Sequence, residues 1–316
     1  MAVKAYAPAS IGNVSVGFDI LGAALTPVDG TPLGDTVTIE DSDTEFSLVQ
    51  TGSFVSKLPK NPDDNIVTDC FRVYRDALAA KGQKTRGLRM PLEKDLPVGS
   101  GLGSSACSVV SALAALNAFH DHALSEDEII RLMGQEEGKI SGSIHYDNVA
   151  PCYLGGIQLM LEDCDEISER IPDFSERYWV SCYPGIVVST AAARKILPVE
   201  YPRSTAIRFA SNVGAFIHAS HSGNRKLAAK CLVDVIAEPY RKSLIPGFDE
   251  ARAYAMSNGG LAFGISGSGP SIFAVTESMD SAKNIESWLK SEFIQNSDGF
   301  CHICRIDRRG TVVTEC

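Results

Sequence analysis

Three glycines in alternate positions stand among serines in the run Pro97-Val98-Gly99-Ser100-Gly101-Leu102-Gly103-Ser104-Ser105-Ala106-Cys107. Alternating glycines permit positive φ and let a ligand or another backbone come close. The run follows a strand-like segment at 88–92 and opens an apolar one at 106–119, patterned as a helix buried nearly all round. A loop ending in a helix start aims unpaired N–H groups and positive partial charge at whatever it encloses, which is the construction of a phosphate cradle. It lacks the Gly-Lys-Ser/Thr ending of a Walker A loop, and its third glycine falls one place too early for the dinucleotide-binding GxGxxG.

Other residues able to do chemistry lie in polar clusters. Glu137 falls near Gly138, where the helix that starts at the capping box Ser125-Glu126-Asp127-Glu128 is expected to fade. A carboxylate at that pole of a helix favours a cation nearby. The run His145-Tyr146-Asp147-Asn148-Val149-Ala150-Pro151, the pair Ser189-Thr190 with Arg194, and Glu238-Pro239-Tyr240-Arg241 gather further polar side chains. A second glycine run, Gly264-Ile265-Ser266-Gly267-Ser268-Gly269-Pro270, reads as a turn between strands.

The elements that must hold these residues follow from periodicity. Strands are expected at 3–7, 36–40, 46–49, 88–92 and 157–161, with a helix from residue 66 capped by Asp63, Asp64 or Asn65 and closed by Gly82. Beyond an acidic, turn-like stretch at 162–176, strands are expected at 179–183, 260–265, 271–276 and 302–306, with helices at 205–221, 225–235, 249–257 and 282–293. That stretch is the expected boundary between domains at 1–165 and 166–316, and the mixture of elements gives the fold class α+β.

Composition narrows the function. A net charge of −10 over 316 residues argues against nucleic acid as a partner. Nine scattered cysteines fit a reducing compartment, and the pair in Cys301-His302-Ile303-Cys304 lacks the second pair of a metal site and reads as strand. The opening residues lack the apolar core of a leader, and no apolar run is long enough for a membrane span, so a cytoplasmic protein with no membrane partner is expected.

Three motifs together resemble the GHMP kinases: Pro8-Ala9-Ser10-Ile11-Gly12-Asn13 with Gly17-Phe18-Asp19, the glycine-serine loop, and the run 264–270. The clusters around His145, Thr190, Arg194 and Arg241 resemble the branch of that family that phosphorylates L-homoserine. The resemblance implies two lobes, the first like ribosomal protein S5 domain 2 and the second ferredoxin-like, with ATP and Mg²⁺ as cofactors. It implies that residues 97–107 hold the ATP phosphates, that Ser105 and Glu137 hold Mg²⁺, and that the run 264–270 steadies the phosphate loop.

For the acceptor, the resemblance implies Asp19 on the ammonium, Arg194 and Arg241 on the carboxylate, and Asn13, Thr190, His145 and Asn148 as polar partners. Several relatives place an aspartate base about where this chain has Asn148. An amide cannot take a proton at neutral pH, so the expectation is transfer of the hydroxyl proton to phosphate or solvent, with Asp147 the residue to suspect otherwise. A homodimer is left open. So are a sister kinase for a mevalonate-like or sugar acceptor and a non-catalytic homologue.

Overall fold

The computed structural model describes residues 2–315. In chain order the first half contains β1 (Ala2–Pro8), β2 (Ser10–Gly12), β3 (Leu21–Pro27), β4 (Gly34–Asp41), β5 (Phe46–Thr51), α1 (Ile66–Ala80), β6 (Leu88–Glu93), α2 (Ser104–Phe119), α3 (Glu126–Ser141), α4 (Val149–Leu154) and β7 (Ile157–Met160). The second contains β8 (Ser168–Ile171), β9 (Tyr178–Tyr183), α5 (Thr190–Lys195), α6 (Arg203–Ser222), α7 (Arg225–Cys231), α8 (Glu238–Arg241), α9 (Phe248–Ser257), β10 (Ala262–Ile265), β11 (Ile272–Thr276), α10 (Met279–Trp288), β12 (Phe300–Ile306) and β13 (Val312–Glu315).

Two sheets result, in an α+β arrangement. The five-stranded sheet runs β13-β1-β4-β6-β5, antiparallel except for the β5–β6 pair. The larger sheet runs β10-β11-β9-β12-β3-β7-β8, with β2 paired to β3. Helix α2 lies on β1 and β4 and also touches α1 and α3. Apart from Ser105 and Ala118 every residue of α2 is buried, which explains its lack of a polar face.

Each sheet draws strands from both sides of residue 165, because β13 pairs with β1 and β3 pairs with β12. The acidic stretch at 162–176 carries β8, which pairs with β7 at the edge of the larger sheet. Strand β3 escaped the sequence reading because Leu21-Gly22-Ala23-Ala24-Leu25 is buried throughout and shows no alternation.

Two helix ends differ from expectation. Helix α3 continues past Gly138 to Ser141 and closes on Gly142 at φ 88°, so Glu137 lies within the helix and not at its end. The helix expected over 225–235 stops at Cys231, because the Asp234 carboxylate accepts the N–H groups of Ile236, Ala237 and Glu238 and so starts a new turn. Among the described residues no helix is long and apolar enough to cross a membrane.

Candidate active site

A cleft of about 480 Å³ opens between the phosphate-cradle loop, α3, the start of α4, α5 and the turn after β10. Its floor is the loop ahead of α2. There Gly99, Gly101 and Gly103 take φ of 70°, 83° and 67°, the left-handed region that glycine enters without steric cost. Successive N–H groups in such a loop form a concave anion seat, and the N-terminus of α2 adds its dipole.

The loop has no slack. A Cβ on Gly101 would meet Ser266 O at 2.5 Å and Gly269 O at 2.8 Å. Ser266 Oγ donates to Gly101 O at 2.6 Å, and the Ser271 N–H donates to Ser100 O at 3.0 Å. The first motif closes the other side: Ser10 N–H donates to Leu102 O at 3.1 Å, and Gly267 N–H to Gly12 O at 2.8 Å. Three segments far apart in sequence thus lock into one another, and the run 264–270 does brace the loop.

Of the eleven residues expected to hold phosphates, Val98, Gly99, Ser100, Gly101, Gly103, Ser104 and Ser105 line the cleft. Pro97, Leu102, Ala106 and Cys107 do not: all four side chains are buried, and Cys107 Sγ donates to Pro8 O at 3.1 Å. Alternation explains it, since every second side chain of the loop and the inner face of α2 must fill the core beneath.

The two serines at the helix start part company. Ser104 Oγ donates to Leu96 O at 3.1 Å, under the loop, whereas Ser105 Oγ donates to Glu137 Oε1 at 2.6 Å, in the cleft. Glu137 is half-buried as a residue, but its Oε2 is fully enclosed, and burial pushes its carboxyl up to about 7 against the opposing Ser105 hydrogen bond. Among the described residues no group of three or more His, Cys, Asp or Glu could by itself hold a metal. Ser105 and Glu137 instead offer two hard oxygen donors beside a phosphate seat, a fit for Mg²⁺, which usually takes one or two protein oxygens and completes its shell from phosphate and water.

Beyond the carboxylate lies the other end of the cleft. Arg194 faces Asp19 in a two-point ion pair, Nη2 to Oδ1 at 3.1 Å and Nη1 to Oδ2 at 3.3 Å. Arg241, 3% exposed, gives Nε to Ala193 O at 3.0 Å and Nη1 to Gly267 O at 2.9 Å, with its guanidinium 5.1 Å from the Phe18 ring centre. Thr190 Oγ1 lies 3.3 Å from Ser268 Oγ, and His145 Nε2 lies 2.6 Å from Ser143 Oγ. Burial and the Arg194 charge both hold the His145 imidazole below its ordinary pKa.

Between these ends sit Asn148 and Asp147. Ser10 Oγ donates to Asn148 Oδ1 at 2.9 Å, which leaves the amide NH₂ as the end free to face a ligand. Asp147 is 8% exposed, and burial raises its carboxyl to about 7, with Asp19 adding to the rise and Arg194 opposing it. Gly12 makes room for both: a Cβ there would meet Asp147 Oδ2 at 2.3 Å and Asn148 Nδ2 at 2.6 Å.

All the expected acceptor residues, Asn13, Asp19, His145, Asn148, Thr190, Arg194 and Arg241, therefore line one cleft with Ser105 and Glu137. Sequence reading missed Lys94 and Asp35, a buried ion pair under the loop. Lys94 Nζ donates to Asp35 Oδ2, to Ser104 O at 2.8 Å and to Ser108 Oγ at 3.0 Å. Nothing in the local pattern around either residue marks it, because they lie 59 positions apart.

A glycine loop at a helix start, a buried carboxylate beside a serine and a charged pocket share one cleft, an arrangement suited to phosphoryl transfer. Comparison with known proteins agrees. The GHMP kinases N terminal domain matches residues 65–156 and the GHMP kinases C terminal domain residues 213–295. A homoserine kinase structure from Cytophaga hutchinsonii is 32% identical, with 99% of this chain and 97% of that one covered and a TM-score of 0.89. A putative homoserine kinase from Listeria monocytogenes (21% identity, 99% and 100% covered, TM-score 0.70) and the mevalonate kinase of L. major (17%, 96% and 95%, TM-score 0.67) share the fold. The chain belongs to the GHMP kinase family, whose members are phosphotransferases that use ATP, generally with Mg²⁺.

Proposed function

We propose that the protein transfers the γ-phosphoryl group of ATP to the side-chain hydroxyl of L-homoserine, giving O-phospho-L-homoserine on the way to threonine. The observation that carries this reading is the facing pair Asp19 and Arg194, with Arg241 beside it, at the far end of a cleft floored by a phosphate loop. A free amino acid presents the complementary charges, so its ammonium replaces Arg194 as the partner of Asp19 and its carboxylate replaces Asp19 as the partner of Arg194. A sugar offers no charge to either side, and mevalonate only a carboxylate.

In this reading the N–H groups of residues 99–105 hold the triphosphate, while Ser105 and Glu137 hold Mg²⁺, which when bound offsets negative charge on the transferred group. The acceptor oxygen forms a bond to the γ-phosphorus as the bond to the β–γ bridging oxygen breaks, and ADP leaves. Asn148 presents NH₂ to the acceptor oxygen and so orients it but takes no proton. The buried Asp147 carboxylate, next in the chain to Asn148 and in the same cleft, takes the hydroxyl proton in this reading, the alternative to phosphate or solvent that the sequence had offered.

The test is ADP release measured over a panel of L-homoserine, mevalonate and galactose. Turnover confined to homoserine supports the proposal, together with a rise in KM for homoserine but not for ATP in Asp19→Asn. Turnover confined to another acceptor would overturn it.

A further inference from the structure

Asp234 lies outside the cleft lining, in the loop that ends α7, and is 8% exposed. Its carboxylate gathers four donors. Oδ1 accepts from the N–H groups of Ile236 and Ala237 at 2.8 and 2.9 Å, while Oδ2 accepts from the Glu238 N–H at 3.1 Å and from Asn13 Nδ2 at 2.8 Å. One side chain thus holds the backbone leading into α8, which carries Arg241, and grips Asn13, which lines the cleft.

The grip decides which way the Asn13 amide faces. A carboxylate can only accept, so the NH₂ end must turn to Asp234 and the carbonyl end away from it. Asn13 is 3% exposed, its backbone is held at φ 68°, and its Oδ1 is buried with no hydrogen-bond partner among the described residues. An enclosed acceptor left unpaired costs free energy unless a ligand supplies a donor. The Asp19 carboxylate, the other acceptor invoked for the ammonium, lines the same cleft.

We propose that Asp234 is the positioning residue that sets head-group selectivity: by holding Asn13 Nδ2 it presents Asn13 Oδ1 as an acceptor at the cleft wall, matched to an ammonium. The inference rests on the amino-acid reading of the cleft. An ammonium can only donate, so it depends on this orientation. An α-hydroxyl can donate or accept and turns to suit either.

The test exchanges the two side chains and reads binding, not turnover. In Asp234→Asn an NH₂ replaces one carboxylate oxygen, and the Asn13 amide turns round to bring its own oxygen to it. That points the Asn13 NH₂ at the ammonium. Calorimetric titration is expected to show homoserine binding weakened roughly ten- to hundredfold, with the α-hydroxy analogue of homoserine affected much less. In the double variant Asp234→Asn with Asn13→Asp, the new carboxylate accepts from the new amide at position 234 and still offers an oxygen to the ammonium, so homoserine affinity returns most of the way. Aspartate tolerates the left-handed backbone at position 13.

ATP affinity and the cooperativity of melting serve as controls for folding. Equal losses for both acceptors without rescue, or no loss at all, overturn the proposal while leaving the amino-acid reading intact. Wild-type protein that binds neither acceptor overturns that reading and this inference with it.

Discussion

The hydroxyl of Ser105, in the first turn of α2, donates to Oε1 of Glu137 on α3 at 2.6 Å, joining two helices across the floor of the cleft. The neighbouring Ser104 hydroxyl is turned under the loop to Leu96 O, so of the two serines it is Ser105 that meets the cleft carboxylate. Glu137→Gln keeps the shape and removes the charge. It is expected to raise the Mg²⁺ concentration needed for half-maximal rate at least about tenfold, with Ser105→Ala less affected. Unchanged Mg²⁺ dependence in Glu137→Gln would place the metal elsewhere.

Asp147 makes a prediction about pH. Its carboxyl titrates near 7 in the folded protein, against 3.8 as the ordinary value. Between those limits the folded state binds more protons than the unfolded chain, so the contribution of this group to stability falls as pH rises through that window. Denaturant melts of ligand-free wild type and Asp147→Asn should agree best near about pH 4 and diverge toward pH 8, where wild type loses the more. As proton acceptor Asp147 also predicts turnover that falls below about pH 7, and a loss of about 10²–10⁴ in kcat for Asp147→Asn. A flat profile with near-normal kcat in the variant returns the proton to phosphate.

Lys94 and Asp35 are 1% and 0% exposed at their side chains, and together they tie β4, the end of β6 and the start of α2. Removing one partner of a buried pair strands the other charge. Lys94→Met is expected to cost about 3–5 kcal/mol in urea unfolding. A cost under about 1 kcal/mol would mean that water reaches the pair.

Gly101 is held against backbone, at φ 83° with Ser266 O only 2.5 Å from where a Cβ would stand. Gly101→Ala must shift either the loop or the turn after β10. Nucleotide affinity, read by titration, is expected to fall more than homoserine affinity. Equal losses would point to general unfolding.

Much of the site was legible because its demands fall on residue types. Left-handed loop positions call for glycine, and Gly99, Gly101 and Gly103 state that need openly; α2 declares its burial through the absence of a polar face. What could not be read depends on partners distant in the chain. Strand β13 carries no signal that it returns to β1, and Lys94 looks like any charged residue until Asp35 is placed against it. The starts of two short helices at the cleft show it too: Ser189 caps α5, and Asp234 accepts the N–H groups leading into α8 while holding Asn13, far back in the chain. Asn148 and Asp147 show the same limit, since their neighbouring positions gave the residue types but not which one is sealed from water.

Phosphorus NMR of the protein with Mg·ATP and L-homoserine tests the central claim most directly. The γ-phosphate signal is expected to be lost while that of a phosphomonoester identical to O-phospho-L-homoserine grows in step with ADP. Retention of the γ-phosphate signal with homoserine, alongside a new phosphomonoester when mevalonate or a sugar is supplied instead, would contradict it.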